Sequence, residues 1–286
     1  MEIRRYRVAD HHFAICGADL CQMIAKIPGF IPFESSDDVE DDFSFISNDL
    51  LPVDFKVQYS FDYENILGEF GTTEDGFFLR QTPEGEEPLY MWCKEGDNRV
   101  YFNGNPSLRL FRFALWIGYG LMTYDKGTIA VHSSCIVSNG KAVIFLGESG
   151  TGKSTHTRLW REQFGDRCYM INDDKPLIRF DGEAIRVYGT PWAGKYNLGR
   201  NTSAPLKAII QLRRGSENHI EKVSKDKAFY SIMKQGYFPP GNAAKSQALS
   251  LQKKLIEQVP FYELTCNMEP DAAWTAWQGM NQSDNQ

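Results

Sequence analysis

One segment near the middle of the chain limits most strongly how this sequence can fold. Residues 142–146 read A-V-I-F-L, an apolar run typical of a buried strand, and residues 147–154 continue directly as G-E-S-G-T-G-K-S. This is the pattern G-x-x-x-x-G-K-[ST], in which a strand passes through a glycine-rich phosphate-binding loop into a helix. The segment therefore predicts a strand–loop–helix unit within an α/β domain.

The residue types in this loop suit the binding of a nucleoside triphosphate. Glycines let the backbone turn tightly and direct several N–H groups inward, and the positive end of the following helix attracts phosphate oxygens. Lys153 would lie beside the β- and γ-phosphates, while the Ser154 hydroxyl would coordinate Mg²⁺. The predicted ATP-binding residues are Gly147, Glu148, Ser149, Gly150, Thr151, Gly152, Lys153, Ser154 and Thr155.

Two carboxylates follow at the end of the next predicted strand. The run C-Y-M-I-N at 168–172 leads directly into Asp173 and Asp174. Adjacent strand residues face opposite sides, so we expect one carboxylate to enter the site and the other to support it. Together with Ser154 they form the predicted Mg²⁺ site, with Mn²⁺ as an alternative ion. On spacing alone, the pair also fits a polar turn or a helix cap.

Two further residues are candidates for the chemistry. His132 lies in a β-prone run, 128–137, which is expected to pair with the strand before the glycine loop through an Asn-Gly turn. A lone histidine in a strand is also commonly structural. Lys195 lies in the glycine-rich stretch 189–200, where a cation would stabilise charge on transferred phosphoryl oxygens. The alternative for this stretch is a surface loop whose Trp192 covers the core.

These motifs together resemble a known family. The run H-S-S-C-I-V-S-N-G-K-A-V-I-F-L-G-E-S-G-T-G-K-S-T at 132–155, followed by I-N-D-D at 171–174, is similar to the catalytic domain of HPr kinase/phosphorylase. It is also similar to the nucleotide site of ATP-dependent phosphoenolpyruvate carboxykinase. The run Y-G-T-P-W-A-G-K at 188–195 looks like the corresponding run of bacterial HPr-kinase-like proteins.

The resemblance implies a fold and roles for particular residues. The fold would be a domain of the HPr kinase/phosphoenolpyruvate carboxykinase type with a mixed sheet. Lys153 and Ser154 would bind nucleotide phosphates and Mg²⁺. Asp173 would serve as base or metal ligand with Asp174 beside it, and His132 would be the active-site histidine.

The remainder of the chain indicates a second domain. Short β-prone runs separated by Gly, Pro and Asp/Asn fill residues 1–115, which we expect to form a smaller β-rich N-terminal domain. Residues 116–286 would form the nucleotide-binding, kinase-like domain, and the fold class is α/β with mixed α+β character. The acidic stretch 34–42 is expected to be a solvated loop, or else a docking surface for a basic partner.

Composition excludes several classes of protein. A formal net charge of -6 argues against a nucleic-acid binder, and we expect no membrane span because no apolar run approaches the necessary length of about 20 residues. The N-terminus lacks the apolar stretch of a secretory signal, which favours the cytoplasm. The six cysteines form no Cys-x-x-Cys pair and are expected to be free thiols.

The function predicted from these observations is ATP-dependent phosphoryl transfer to a serine or other hydroxyl of a protein, a peptide or a small molecule. One alternative is a nucleotide-binding regulatory or scaffold module without transferase activity, and another is an enzyme like phosphoenolpyruvate carboxykinase. Besides the nucleotide, the expected partner is this unidentified acceptor. Assembly into a homo-oligomer remains open.

Overall fold

The computed structural model describes residues 1–52, 54–63, 65–104, 106–194, 199–236 and 242–282. The chain forms two compact units, Met1–Lys126 with Phe238–Ser246 and Gly127–Tyr237 with Gln247–Gln286. The boundary expected at 115/116 would divide a helix, Leu108–Thr123, that the structure assigns as a whole to the first unit. Among the described residues, no helix combines the length and the apolar character needed to span a membrane.

The first unit is built on a mixed β-sheet. In chain order its elements are β1 (Ile3–Val8), β2 (His11–Cys16), α1 (Ala18–Ala25), a 3₁₀ helix (Pro28–Phe33), β3 (Phe43–Ser47), β4 (Lys56–Tyr63), β5 (Ile66–Thr72), β6 (Gly76–Pro83), β7 (Leu89–Lys94), β8 (Arg99–Asn103) and α2 (Leu108–Thr123). Within the described residues the sheet has eight strands in the order β1-β2-β3-β8-β7-β6-β5-β4. The β2–β3 and β3–β8 pairs are parallel and the others antiparallel.

Aromatic side chains form the core between this sheet and α2. Phe13, Phe43 and Phe45 pack against one another and lie fully buried. Tyr119 of α2 packs on the same group, and its hydroxyl donates a hydrogen bond to the carbonyl of Val8 at 2.9 Å. A large buried aromatic with a satisfied hydroxyl holds the helix in one register on the sheet.

The second unit is a pair of sheets that share one long strand. Its elements are β9 (Thr128–Ala130), β10 (Ser133–Ser138), β11 (Lys141–Leu146), α3 (Lys153–Phe164), a 3₁₀ turn (Gly165–Arg167), β12 (Cys168–Asp174), β13 (Leu177–Asp181), β14 (Ala184–Tyr188), β15 (Ser203–Arg214), β16 (His219–Lys222), α4 (Lys225–Gln235), α5 (Asn242–Gln258, which belongs to this unit from Gln247 onward), β17 (Phe261–Cys266) and α6 (Asp271–Gln282). In the described part of the chain, one sheet has the order β12-β10-β11-β15-β17-β16 and the other the order β9-β13-β14-β15.

Alternation along β11 explains why helices cover both faces of the larger sheet. Val143 and Phe145 belong to the core formed with α3 and α6. Ile144 belongs to the opposite core, formed with α4 and α5. Successive strand side chains point to opposite faces, so a continuous apolar run such as this strand requires cover on both sides. The expectation of a mixed α/β fold with mixed sheets is confirmed.

The strand directions bring several chain ends to one edge of this sheet. β10 is antiparallel to both β11 and β12, so β11 and β12 run in the same direction. β11 is parallel to β15, and β15 is parallel to β17. The carboxyl ends of these four strands therefore lie at one edge, together with the amino end of β10. Open α/β sheets bind their ligands at this kind of edge.

Candidate active site

The glycine loop, residues 147–154, begins where β11 ends at this edge. Gly150 and Gly152 have φ of 77° and 111°, in the left-handed region that favours glycine. Gly152 is the N-cap of α3 and has no side chain with which to cap the helix. The amides of the first turn, which lack partners inside any α-helix, are therefore left available to an anion.

The Lys153 side chain folds back onto the glycine loop. Its Nζ donates to the carbonyl of Gly147 at 2.7 Å and lies 3.4 Å from that of Glu148. Burial lowers the pKa of Lys153, and the nearby Asp174 and Asp173 oppose that effect. An ammonium group held at such a loop is well placed to neutralise phosphate oxygens.

Asp173 is the carboxylate that contacts the loop. The Ser154 hydroxyl lies 3.1 Å from each Asp173 carboxylate oxygen, and the Ser134 hydroxyl donates to Oδ1 at 2.6 Å. The residue is 8% exposed, so these hydroxyls replace much of the water that a free carboxylate would bind. The pairing of β10 with β12, which sets Ser134 opposite Asp173, fixes this arrangement.

Asp174 faces a different group of charges. Its carboxylate lies 3.5 Å from Nε2 of His132 and 3.8 Å from Nζ of Lys175. Burial lowers the pKa of His132, the Lys153 ammonium lowers it further, and Asp174 acts in the opposite direction. At neutral pH the imidazole is therefore mostly uncharged and able to accept a proton. Asp173 and Asp174 thus contact two different groups of side chains.

A buried polar network holds the end of β12. The Asn172 amide donates to the hydroxyl and carbonyl of Thr190 at 3.1 and 3.2 Å, and its oxygen accepts from the Lys175 amide at 3.0 Å. Gly194 donates from its backbone to the Asp173 carbonyl at 2.5 Å, where a Cβ would come within 2.7 Å of that oxygen. Thr190 and Gly194 are therefore tied to the end of β12 that carries the carboxylate pair.

The position of His132 corrects one expectation. The β-prone run 128–137 is not one strand, because β9 ends at Ala130 and β10 begins at Ser133. β9 pairs with β13 in the smaller sheet, whereas β10 pairs with β11 and β12 in the larger one. His132 lies in the bend between them, where its amide donates to the carbonyl of Gln235 at 2.7 Å. This bend brings the imidazole to the edge beside Asp174.

Arg214 is an exposed residue that contacts the glycine loop. It ends β15, and its guanidinium donates to the carbonyl of Gly150 and lies 3.5 Å from that of Thr151. It therefore links the glycine loop to the neighbouring parallel strand. A basic residue at the end of a strand parallel to β11 indicates a contact with the loop. That indication can be used only when the strand order is known.

Several other residues named by the sequence patterns or lying near the loop have the following positions. Lys195 lies outside the described residues. Arg200 lies with its guanidinium over the Tyr169 ring at 5.5 Å, and Trp192 is buried. His156 is buried in α3, where Nε2 accepts a hydrogen bond from the Trp160 indole at 3.0 Å. Of the six cysteines, all are free thiols and five are buried.

The oxygen donors at the start of α3 fit a divalent cation. Ser154 Oγ and the Asp173 carboxylate supply oxygen ligands at one point, which suits Mg²⁺ because this ion keeps several waters and uses phosphate oxygens besides one or two carboxylates. Among the described residues, no group of three or more His, Cys, Asp or Glu side chains converges as a closed metal cage would. The residues fit an open site shared with a phosphate ligand.

Comparisons with known proteins give a distant match among solved structures. No protein-family model matches the chain, and no curated protein matches it. Among solved structures, the chain is similar to the HPr(Ser) kinase/phosphatase from Coxiella burnetii, with a TM-score of 0.32 and 10% identity, over 54% of this chain and 98% of that one.

Proposed function

We propose that this chain binds ATP with Mg²⁺ at the glycine loop and transfers the γ-phosphoryl group to a hydroxyl acceptor. The observation that carries the proposal is the convergence of Lys153, Ser154 and Asp173 at the amino end of α3, with Asp174 and His132 beside them. Phosphoryl transfer needs positioned cations, a metal ligand and a proton acceptor at one place, and these side chains supply all three kinds of group.

The glycine loop would hold the triphosphate. The first-turn amides of α3 and the adjacent glycines offer donors, and Lys153 adds a full positive charge. We assign nucleotide contacts to residues 147–155, and the strand–loop–helix order supports a domain of the HPr kinase/phosphoenolpyruvate carboxykinase type. Ser154 and Asp173 would hold Mg²⁺, with Asp174 close by, and Mg²⁺ when bound neutralises charge on the phosphate oxygens.

The His132–Asp174 pair would receive the proton of the acceptor hydroxyl. His132 is neutral at physiological pH because burial and Lys153 both lower its pKa. Once it is protonated, Asp174 at 3.5 Å stabilises the imidazolium. A neutral imidazole can take up a proton as a general base. In this proposal Asp173 binds the metal ion and His132 accepts the proton.

The first experiment measures MgATP binding by isothermal titration calorimetry in Lys153→Ala. We expect the Kd to rise by a factor of about 10 to 100, because a buried cation that contacts phosphate is lost. Lys141→Ala is the matched control, since Lys141 is exposed at the opposite end of β11. Equal affinities in the two variants would overturn the assignment of the site.

The second experiment separates transfer from binding. Radiolabelled γ-phosphate is followed into hydroxyl acceptors from a lysate and into water, with wild type and with Asp173→Asn. A transferase loses phosphorylation in this variant while still binding ATP. A regulatory module that only binds nucleotide would show tight, Lys153-dependent binding and no phosphorylated product in either protein.

A further inference from the structure

A cavity of about 380 Å³ lies between the edge strand β16 and helix α6 of the second unit. Ile220 and Lys222 of β16, Thr275 and Gln278 of α6 and Tyr262 of β17 line it. Neither the glycine loop nor the carboxylate pair borders it in the described part of the chain. Its volume lies within the range of about 300 to 1,000 Å³ that is usual for small-molecule sites. The cavity is therefore separate from the candidate active site.

A buried tyrosine in the wall of this cavity lacks a partner for its hydroxyl. Tyr262 is 3% exposed, and its ring belongs to the core formed with α3 and α6. Its hydroxyl forms no hydrogen bond with a described residue, yet it is not one of the fully enclosed unpaired atoms. The surface that it keeps is therefore directed at the cavity. Buried tyrosine hydroxyls usually have a hydrogen-bond partner, so this one indicates a place for a ligand atom.

Lys222 supplies a positive charge beside this hydroxyl. It is the partner of Tyr262 in the register of β16 with β17, and side chains of directly opposed residues lie on the same face of a sheet. Glu221 and Glu263, the next pair, point to the opposite face. There their carboxylates lie 3.9 and 3.6 Å from the Lys227 ammonium. Among the described residues no carboxylate forms an ion pair with Lys222.

Helix α6 adds uncharged polar groups to the other wall. Thr275, Gln278 and Gln282 line the cavity and are spaced i, i+3 and i+7, so they share one side of the helix. Hydroxyl and amide groups donate hydrogen bonds to an oxyanion without adding charge. A Cβ at Gly279 would come within 2.2 Å of an Ile220 methyl, so the glycine lets the helix lie close to β16. No carboxylate lies among the described lining residues to repel an anion.

We infer that this cavity binds a small organic anion, a carboxylate or a phosphate ester, whose oxygens contact the Lys222 ammonium and the Tyr262 hydroxyl. The amides and the hydroxyl of α6 then bind the remaining polar atoms of the ligand. Lys222 and His219 are the basic residues in the described wall, which suits a small anion rather than a polyphosphate. The site does not depend on the function proposed for the glycine loop, because the two share no described residue.

Saturation-transfer difference NMR with two probes tests the inference. Malate represents a carboxylate and glycerol 3-phosphate a phosphate ester. Both are added to the full chain carrying Lys153→Ala, which disfavours anion binding at the glycine loop. We expect at least one probe to bind with a Kd of about 0.1 to 1 mM, and the better probe identifies the type of anion. No saturation transfer to either probe at concentrations about ten times that range would overturn the inference.

Two substitutions in the same background test the contacts. Lys222→Met removes the charge and should raise the Kd of the bound probe by about tenfold. Tyr262→Phe removes only the hydroxyl and should raise it by about three- to tenfold. The urea midpoint of Tyr262→Phe should not fall, because no described residue bonds to this hydroxyl. Lys225→Met is the matched control, since Lys225 is exposed at the start of α4 outside the cavity.

The outcomes separate this site from the glycine loop. Probe affinity that neither cavity substitution changes, or that Lys225→Met lowers equally, would show binding elsewhere and overturn the inference. With Lys153 intact, Lys222→Met and Tyr262→Phe should leave the Kd for MgATP unchanged, and a parallel loss of MgATP binding would also contradict a separate site. Probe binding in a chain that does not bind MgATP would overturn the proposed function and leave the cavity site standing.

Discussion

At the scale of single residues, the candidate site depends on the hydrogen bonds that the buried Asp173 carboxylate accepts. The Asp173 carboxylate accepts hydrogen bonds from the Ser134 and Ser154 hydroxyls, and both bonds compensate for lost hydration. If Ser154 turns to a metal ion in the complex with nucleotide, Ser134 remains as the fixed donor from the protein. Ser134 is itself fully buried. We therefore regard it as a positioning residue for Asp173.

Replacing Ser134 tests that role. Ser134→Ala should reduce kcat by about tenfold while changing the Kd for MgATP by less than about threefold, because the carboxylate is misoriented but present. Ser138→Ala is the control at the other end of β10, where the buried hydroxyl has no partner among the described residues. A variant with unchanged kcat, or with binding lost in parallel, would argue against a positioning role.

The charges around His132 predict how its pKa responds to neighbours. Lys153→Ala should raise the pKa of His132, since a nearby positive charge is removed, and Asp174→Asn should lower it, since a stabilising negative charge is removed. Imidazole C–H signals followed by NMR across a pH series give the values directly. Lys141→Ala should leave them unchanged. Shifts of the opposite sign would mean that His132 does not share the site's electrostatic environment.

At the scale of elements, the glycine loop and its neighbours could be predicted from the sequence, whereas features that depend on strand order could not. An apolar run, glycines and a helix pattern are local signals, and Asp173–Asp174 simply end a strand. The bend at His132 interrupts a run that is uniformly β-prone, and it exists because β9 and β10 pair with different sheets. Arg214 reaches a carbonyl 64 positions earlier in the chain, a contact that no local pattern encodes.

The end of β12 also stores backbone strain. Asp174 has φ of 129°, which is unfavourable for a residue with a Cβ. Asp174→Gly should be more stable than Asp174→Ala by about 1 kcal/mol, because glycine adopts this conformation freely. Both variants should lose transfer activity to a similar degree. Urea denaturation and a phosphorylation assay measure the two properties, and equal stabilities would show that the strain is relieved elsewhere.

At the scale of the whole molecule, helix α3 connects the glycine loop to the hydrophobic core of the second unit. Trp160 and His156 of this helix lie against Phe145 of β11, so the residues that follow the loop are anchored in the apolar interior. Burial lowers the pKa of His156 to about 3. The His156 imidazole is therefore neutral in the folded core. Protonation of this residue links the stability of the fold to pH.

That linkage predicts acid destabilisation of the second unit. Between the ordinary histidine pKa of about 6.5 and the folded value of about 3, the unfolded chain binds a proton at His156 that the folded chain does not. Stability should therefore fall as the pH is lowered through this window, by about 1.4 kcal/mol per pH unit for this group. His156→Gln, which keeps an acceptor for the Trp160 indole, should lose that part of the slope in urea titrations at a series of pH values. His219→Gln, at an exposed residue of β16, should keep the wild-type slope. Parallel curves for wild type and His156→Gln would show that the buried imidazole is protonated without unfolding.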